Sequence, residues 1–473
     1  MNIFRIKDPF TLTIFGASGD LAKLKLFPAL YSLAEQKRLP ADFSIIGFAR
    51  TKKTQKQFQK EFETSIKNVI KSDLNPTILK NLSQHVHYFT GQYNNLESFH
   101  EYKAFLKKLT KGKKQPHLAY FSVPPQAFKP IIQNLGESKT SKNEDIRLII
   151  EKPFGQDSKS ATQLYHFISR YFEEKQAYLL DHFLGKSGVQ SILNLRQTNR
   201  ILNILLRGAE IANIQISALE SIGIKERAGY FDQVGIMKDW IQSHLLQILA
   251  LTTMNVPISG SAESLHREKN SILSAIKLPK GNNVVIGQYD GYTKENGIPK
   301  GSKTETFAAV KLLIDQGEWF KVPIYIRTGK KLHKKLTTVV VEFKKLAFQK
   351  DSEEPNLLVI EVGPEERVSI KLMNKYQTGS SPYESITTSK SIACSGDYCL
   401  PPHGLLLLDV IRENKSSFLS FPEIIASWHV TEAILDAIKR KKIRVEKYKE
   451  GSEGPKSQHK LTRQDGFIWH DDP

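Results

Sequence analysis

Residues 10–15 (Phe-Thr-Leu-Thr-Ile-Phe) form a short apolar run rich in β-formers, and it ends in the turn Gly16-Ala17-Ser18-Gly19-Asp20-Leu21. Apolar residues then recur three or four apart at Leu24, Phe27, Leu30, Tyr31 and Ala34, the spacing of one helix face. Pro28 interrupts that pattern; lacking an N–H, it must kink the segment or mark the helix's first turn. Buried-strand patterns return at 43–48, 118–123 and 146–151, with helix-period segments between them, and an apolar approach leads into Asp181. Strand–helix alternation of this kind predicts a parallel, doubly wound, Rossmann-like sheet over residues 1–180.

Beyond about residue 200 the period changes from that of helices to that of strands. Alternating runs at 214–218, 284–289, 307–314, 322–327, 337–343, 357–362 and 368–373, joined by short connections, predict a large antiparallel sheet. The segment 232–254 is predicted to be a helix whose buried side carries Leu245, Leu246, Ile248, Leu249 and Met254. Residues 181–473 thus read as an α+β domain beside the α/β one, ending in a polar, glycine-bearing tail (447–460) expected to be mobile.

Charge narrows the partners. With 68 basic and 49 acidic side chains among 473 residues the formal charge is +19, which favours anions such as phosphorylated metabolites and dinucleotides. The lysines are dispersed, without zinc-finger spacing or an arginine–aromatic repeat, so no nucleic-acid partner is expected. No stretch approaches the ~20 apolar residues of a membrane span, so no membrane partner is expected and a cytoplasmic address follows. Cys394 and Cys399 lack a second ligand pair and read as ordinary thiols, with no metal site.

Two stretches carry candidate chemistry. The G-x-x-G turn at Gly16 and Gly19 lets backbone approach a pyrophosphate at a helix start, although many strand–turn–helix units use such glycines only to turn. The second strand ends in Arg50, followed by Lys52 and Lys53, where an NAD site places an acid; a cation there suits the 2′-phosphate of NADP. The second stretch is Asp181-His182-Phe183-Leu184-Gly185-Lys186. If a helix begins there, His182 and Lys186 share a face and could grip a phosphate dianion. Equally, Asp181 could be a cap, His182 a filler and Lys186 a solvated cation.

The ordered blocks GASGDLAKLKLFPALY (16–31), GFAR (47–50), EKPFG (151–155), DHFLGK (181–186), ERAGYFDQVGIMKDWIQSHLLQ (226–247) and RTGKKL (327–332) together resemble the glucose-6-phosphate dehydrogenase family over nearly the whole chain. The resemblance implies NADP-dependent oxidation of D-glucose 6-phosphate at C1 by a homodimer or homotetramer. It implies His244 as general base, oriented by Asp181. His182 and Lys186 would hold the sugar phosphate, Glu220 and Asp239 the sugar hydroxyls, and Lys330 and Lys335 would also meet substrate. Lys152 would lie between sugar and cofactor, beside Pro153, while Gly16, Ser18, Gly19, Asp20, Leu21, Lys23 and Arg50 would line the NADP pocket. If 232–254 were one straight helix, Asp239 and His244 would lie roughly 140° apart around it.

The chain departs from the family at Phe183 (a tyrosine there), Ser187 (glutamate), Leu179 (arginine), Ser243 (asparagine) and 402–406, Pro-His-Gly-Leu-Leu for Ala-Tyr-Glu-Arg-Leu. Two alternatives stay open: a drifted homologue acting on another hexose or hexose phosphate, and a catalytically silent paralogue that binds through its basic surface.

Overall fold

A computed structural model describes residues 4–71, 74–140, 145–224, 228–347, 354–375, 383–394, 396 and 399–471. The chain forms two compact units, Met1–Gly185 with Ser395–Phe421, and Lys186–Cys394 with Pro422–Pro473.

The first unit is built on β1 (Phe10–Phe15), β2 (Phe43–Ala49), β3 (Val86–Thr90), β4 (His117–Phe121), β5 (Ile146–Glu151) and β6 (Ala177–Leu180). Their order is β3-β2-β1-β4-β5-β6 and every pair is parallel. Strand order reverses between β1 and β4, which opens a crevice at the carboxyl ends of the strands. All six residues of β1 are buried, as a central parallel strand covered on both faces requires. Its two polar residues are partnered: Thr11 Oγ1 accepts from Gln115 Nε2 at 2.6 Å and Thr13 bonds His117 Nε2 at 2.8 Å, and burial pushes that imidazole down to about 4, so it is neutral at physiological pH.

Pro28 lies inside a continuous helical stretch that begins at Asp20: a π-helical turn, Ala22–Leu26, runs directly into α1 (Phe27–Glu35), so the missing N–H falls where the ladder changes register, with Phe27 N donating to Ala22 O. The segment 395–421 returns to this unit through the helix Pro402–Ile411. Arg147 of β5 donates to the carbonyls of Val410 (2.7 Å) and Ile411 (2.8 Å), satisfying that helix's last acceptors. Leu406, Leu407, Val410 and Phe418 then join the core of Leu12, Leu30 and Leu118.

The second unit holds a ten-stranded sheet. Its strands are β7 (Ile211–Leu219), β8 (Ile276–Lys277), β9 (Val284–Tyr289), β10 (Phe307–Ile314), β11 (Ile324–Gly329), β12 (Leu336–Phe343), β13 (Leu357–Gly363), β14 (Arg367–Lys375), β15 (Tyr383–Ser391) and β16 (Val445–Tyr448). The order is β15-β14-β13-β12-β7-β11-β10-β9-β16, with β8 paired to β10. The sheet is mostly antiparallel, with β7–β11 and β9–β16 parallel.

The structure corrects three sequence expectations. The polar tail is packed onto this unit and buries Tyr448, Pro455 and Gln458: β16 pairs with β9, and Tyr448 Oη donates to the Lys330 carbonyl at 2.7 Å. Arg327, only 1% exposed, stacks 4.2 Å from the Trp469 ring and bonds Ser217 Oγ (2.9 Å), Gln458 Oε1 (3.1 Å) and Asp471. A buried guanidinium needs partners, and the tail supplies them. The segment 232–254 is not one helix, since Ala228–Ile236 breaks at Gly235, a π-helix covers Met237–Leu245, and an α-helix resumes over Leu246–Thr253. Cys394 and Cys399 are disulfide-bonded rather than free; their spacing lets the chain fold back, and spacing alone cannot report oxidation state.

A buried charge cluster ties the helix Phe421–Arg440 to the helix Ala262–Ala275. Glu423 is 0% exposed and meets Lys269 Nζ at 2.7 Å and His266 Nδ1 at 2.5 Å, while Lys269 also donates to Gln247 Oε1 at 3.3 Å. Burial alone would raise the Glu423 pKa, but Lys269 and His266 outweigh it and hold the carboxyl below its usual value. A depressed carboxyl stabilises the fold above its unfolded value of about 4.3, and that contribution disappears as pH falls through the folded value. Glu423→Gln is expected to cost about 3–5 kcal/mol, because it strands a buried ammonium. The double variant with Lys269→Met should recover much of the loss in thermal unfolding; equal melting temperatures for wild type and the single variant would refute this account.

Candidate active site

The first unit carries the dinucleotide corner. Gly16 follows β1 with φ +84°, and a Cβ there would lie 2.1 Å from the Ser122 carbonyl oxygen, so only glycine fits. Gly16 N donates to Phe48 O and Gly19 N to Gly16 O, both at 2.9 Å, closing the turn against β2. Ser18 lies in this turn, Gly19 and Asp20 are exposed, and the helical stretch begins at Asp20 and Leu21. Its first N–H groups lack intrahelical acceptors, and the helix end is positive. Glycine cradle and helix start together suit a pyrophosphate.

Arg50 is exposed just past β2, with its guanidinium 5.8 Å from the Tyr93 ring centre. The sequence offered no acid at this strand end, yet the fold brings one: Glu61 of α2 (Gln55–Val69) lies 2.6 Å from Lys23 Nζ and is also paired with Lys53. Nothing in local spacing could reveal it, because Glu61 arrives from the next helix.

Past β5, the Lys152–Pro153 peptide is cis. The carboxylate before it, Glu151, accepts from Tyr120 Oη and lies 3.8 Å from His403 Nε2. His403 stacks on His182 at 6.5 Å between ring centres. Asp181 is fully buried at the end of β6; its Oδ1 accepts from Phe183 N at 3.0 Å and lies 3.9 Å from His182 Nδ1. No helix begins at Asp181. Residues 182–185 form a turn and Lys186 is the N-cap of the helix Ser187–Thr198, so His182 and Lys186 are not on one helix face. Phe183, 2% exposed, fills the core.

The second unit carries a second constellation. Glu220 follows β7 and Lys330 follows β11, strands that run parallel side by side. Lys330 Nζ reaches Glu220 Oε2 at 2.6 Å, packs 5.1 Å from the Phe231 ring, and is 8% exposed. Lys335 is exposed and makes no ion pair among the described residues, so the structure does not join it to this pair. His244 is 5% exposed, with its ring 5.3 Å from Trp240. Asp239 and His244 are five apart on the π-helix, whose i→i+5 hydrogen bonds bring such residues to nearly the same side. The separation expected of a straight α-helix is therefore removed by the irregularity.

That irregularity has a visible pin. Gly235 adopts φ 70° and ψ 167°, a region open essentially to glycine, and its virtual Cβ would meet Glu305 Oε1 at 2.3 Å. Glu305 Oε1 accepts from Met237 N at 3.3 Å and its carbonyl from Ile236 N at 3.0 Å. Burial raises the Glu305 pKa. Glu226 and Arg227 of the same sequence block lie outside the described residues. Among the described residues no group of three or more His, Cys, Asp or Glu is placed to hold a metal ion, and no helix is long and apolar enough to cross a membrane.

Comparison with known proteins accounts for both halves. Residues 13–191 match the family described as glucose-6-phosphate dehydrogenase, NAD binding domain, and residues 193–470 match its C-terminal domain. The chain is 34% identical over 481 residues to "Glucose-6-phosphate 1-dehydrogenase 1, chloroplastic" of Arabidopsis thaliana, covering 98% of this chain and 84% of that one. It is 33% identical to "Glucose-6-phosphate 1-dehydrogenase" of Chlamydia pneumoniae, covering 99% and 97%. A solved structure, "Glucose-6-phosphate dehydrogenase in complex with its substrate glucose-6-phosphate", superposes with TM-score 0.89 at 30% identity, covering 99% of both chains.

Gly235→Ala is expected to lower stability by about 1–3 kcal/mol, from backbone strain at a glycine-only conformation. Thermal unfolding reads the loss, and an unchanged melting temperature would show that the kink is not fixed by this residue.

Proposed function

The chain belongs to the glucose-6-phosphate dehydrogenase family, and we propose that in its reaction, NADP-dependent oxidation of D-glucose 6-phosphate at C1 to 6-phosphogluconolactone, His244 is the general base. The observation that carries this reading is a buried imidazole on a π-helical turn that also presents Asp239. Oxidising a hemiacetal carbon requires the hydroxyl proton to leave as the C1–H bond breaks. A neutral imidazole accepts that proton near physiological pH. NADP, when bound, supplies the hydride acceptor.

The remaining roles follow residue type and position. Asp181 is assigned the carboxylate that fixes the tautomer of the base and steadies its cation. His182 and Lys186 are assigned the sugar phosphate, where two cationic donors suit a dianion. Glu220 and Asp239 accept from sugar hydroxyls, and Lys330, already paired with Glu220, donates beside them. Lys335, exposed on the same loop, would meet substrate only at its outer edge. Lys152 and Pro153 belong to the junction of sugar and cofactor. Gly16, Ser18, Gly19, Asp20, Leu21, Lys23 and Arg50 form the NADP pocket, so residues 1–180 serve the cofactor and 181–473 the sugar. With Phe183 in place of a tyrosine, one charge-assisted hydrogen bond to the phosphate dianion is missing, a loss of about 1.5–3 kcal/mol. A cytoplasmic address goes with this reading, although the Cys394–Cys399 disulfide is of a kind that reducing compartments disfavour.

We also propose assembly as a homodimer or homotetramer through the edge of the large sheet. Ile370 and Leu372 on β14 are 37% and 52% exposed and share a face, and Ile386 on β15, opposite Leu372, is 45% exposed. Apolar side chains clustered on an exposed strand pair favour burial against another copy.

His244→Asn is expected to lower kcat by a factor of about 10²–10⁴ with little change in KM, read as NADPH absorbance. Near-normal turnover would remove His244 from the role. Leu372→Asp should shift the molar mass in light scattering towards the monomer without loss of helix signal; an unchanged assembly would place the interface elsewhere.

A further inference from the structure

The corner beyond β2 brings Arg50, Lys23 and Lys53 together with Glu61. Arg50 stands exposed at the strand end, and Lys53 Nζ lies 3.5 Å from Ser18 Oγ in the glycine turn. Lys23 stands one turn into the helical stretch that begins after Gly19. Both lysines converge on a single carboxylate, Glu61, with Lys23 on Oε1 at 2.6 Å and Lys53 on Oε2. The three side chains are 31%, 19% and 23% exposed for Lys23, Lys53 and Glu61, sheltered enough for the pairing to matter. Burial would raise the Glu61 pKa, but the two ammonium groups outweigh it, so the acid stays ionised. Among the described residues Arg50 makes no ion pair, and its guanidinium lies against the Tyr93 ring.

A ribose 2′-phosphate arriving here carries about −1.5 to −2 charge and must compete with Glu61 for the two lysines. A 2′-hydroxyl makes no such demand: it can bind with both ion pairs intact and can donate to the carboxylate, as acids at this position do for NAD. We propose that Glu61 sets the preference between NADP and NAD by neutralising Lys23 and Lys53, tempering 2′-phosphate affinity and keeping NAD usable. Glu61 is thus a specificity-determining residue for the known reaction, and the inference rests on the placement of the NADP pocket given above. Arg50 then supplies the standing selectivity for phosphate, and Glu61 limits how far it goes.

The test compares wild type, Glu61→Gln and Glu61→Asp by isothermal titration calorimetry with NADP and NAD, and with the fragments 2′,5′-ADP and 5′-ADP. Glu61→Gln is expected to tighten NADP and 2′,5′-ADP by about tenfold, the effect of removing one sheltered charge beside another. NAD and 5′-ADP should hold steady or weaken, and Glu61→Asp, which keeps the charge, should stay near wild type. If wild type does not distinguish 2′,5′-ADP from 5′-ADP, the pocket placement fails and the inference falls with it. If wild type distinguishes them but Glu61→Gln leaves the ratio unchanged, or weakens NADP, the inference alone is overturned. Arg50→Ala, which should lose phosphate selectivity in either background, separates a mislocated pocket from a silent Glu61.

Discussion

A change of helical pitch sets the geometry of the candidate site in the second unit. Between Met237 and Leu245 the backbone bonds i→i+5, and that places Asp239 and His244 on nearly one side. The pitch begins directly after Gly235, whose left-handed conformation turns the chain, and Glu305 holds the turn through two backbone amides. A regular α-helix through the same residues would point the acid and the imidazole in different directions. Beneath it, Gln247 accepts from Lys269, which shares the Glu423 carboxylate with His266, so the following helix is anchored by buried charge as well as by apolar packing.

How far sequence reasoning reached follows from which interactions are local. The strands of the first unit were legible because a central parallel strand is buried on both faces, so β1, β2 and β5 are dominated by apolar residues and interrupted only by Thr11, Thr13, Ser44, Arg147 and the strand-end Glu151. The strand β15 was not, because Glu384, Ser385, Thr387, Thr388 and Ser389 show no alternation, and its place depends on the ladder with β14. Gly16 was legible from its turn, whereas Glu61 and Glu305 were not, since each acts on residues far away in sequence. The tail from 447 was misread because polar residues and glycines look like a loop until Arg327, Gln458 and Trp469 are seen to complete one buried cluster. For the candidate site, residue types and their order were readable, and the family resemblance supplied the roles. The π-helix that aligns two of them, and the turn that replaces an expected helix at 182–185, were not.

The positive charge has a similarly local meaning. A formal +19 spread over the surface would attract any polyanion, but the cations placed at the two candidate pockets are mostly committed: Lys330 to Glu220, Lys23 and Lys53 to Glu61, Lys331 to Glu450. Such pairing converts diffuse attraction into selective recognition, since an incoming anion must outcompete a resident carboxylate.

Both units are discontinuous in the chain, and this bears on how the molecule is made. The first needs Ser395–Phe421 before Arg147 finds its carbonyl partners and the core around Leu406 closes. The second needs the last residues before the Arg327 cluster closes. On the ribosome, neither half can complete its interior until most or all of the polypeptide has emerged. Nascent strands must therefore wait unfinished, and a reading frame cut short near its end would leave an orphaned guanidinium in the sheet rather than a slightly smaller enzyme.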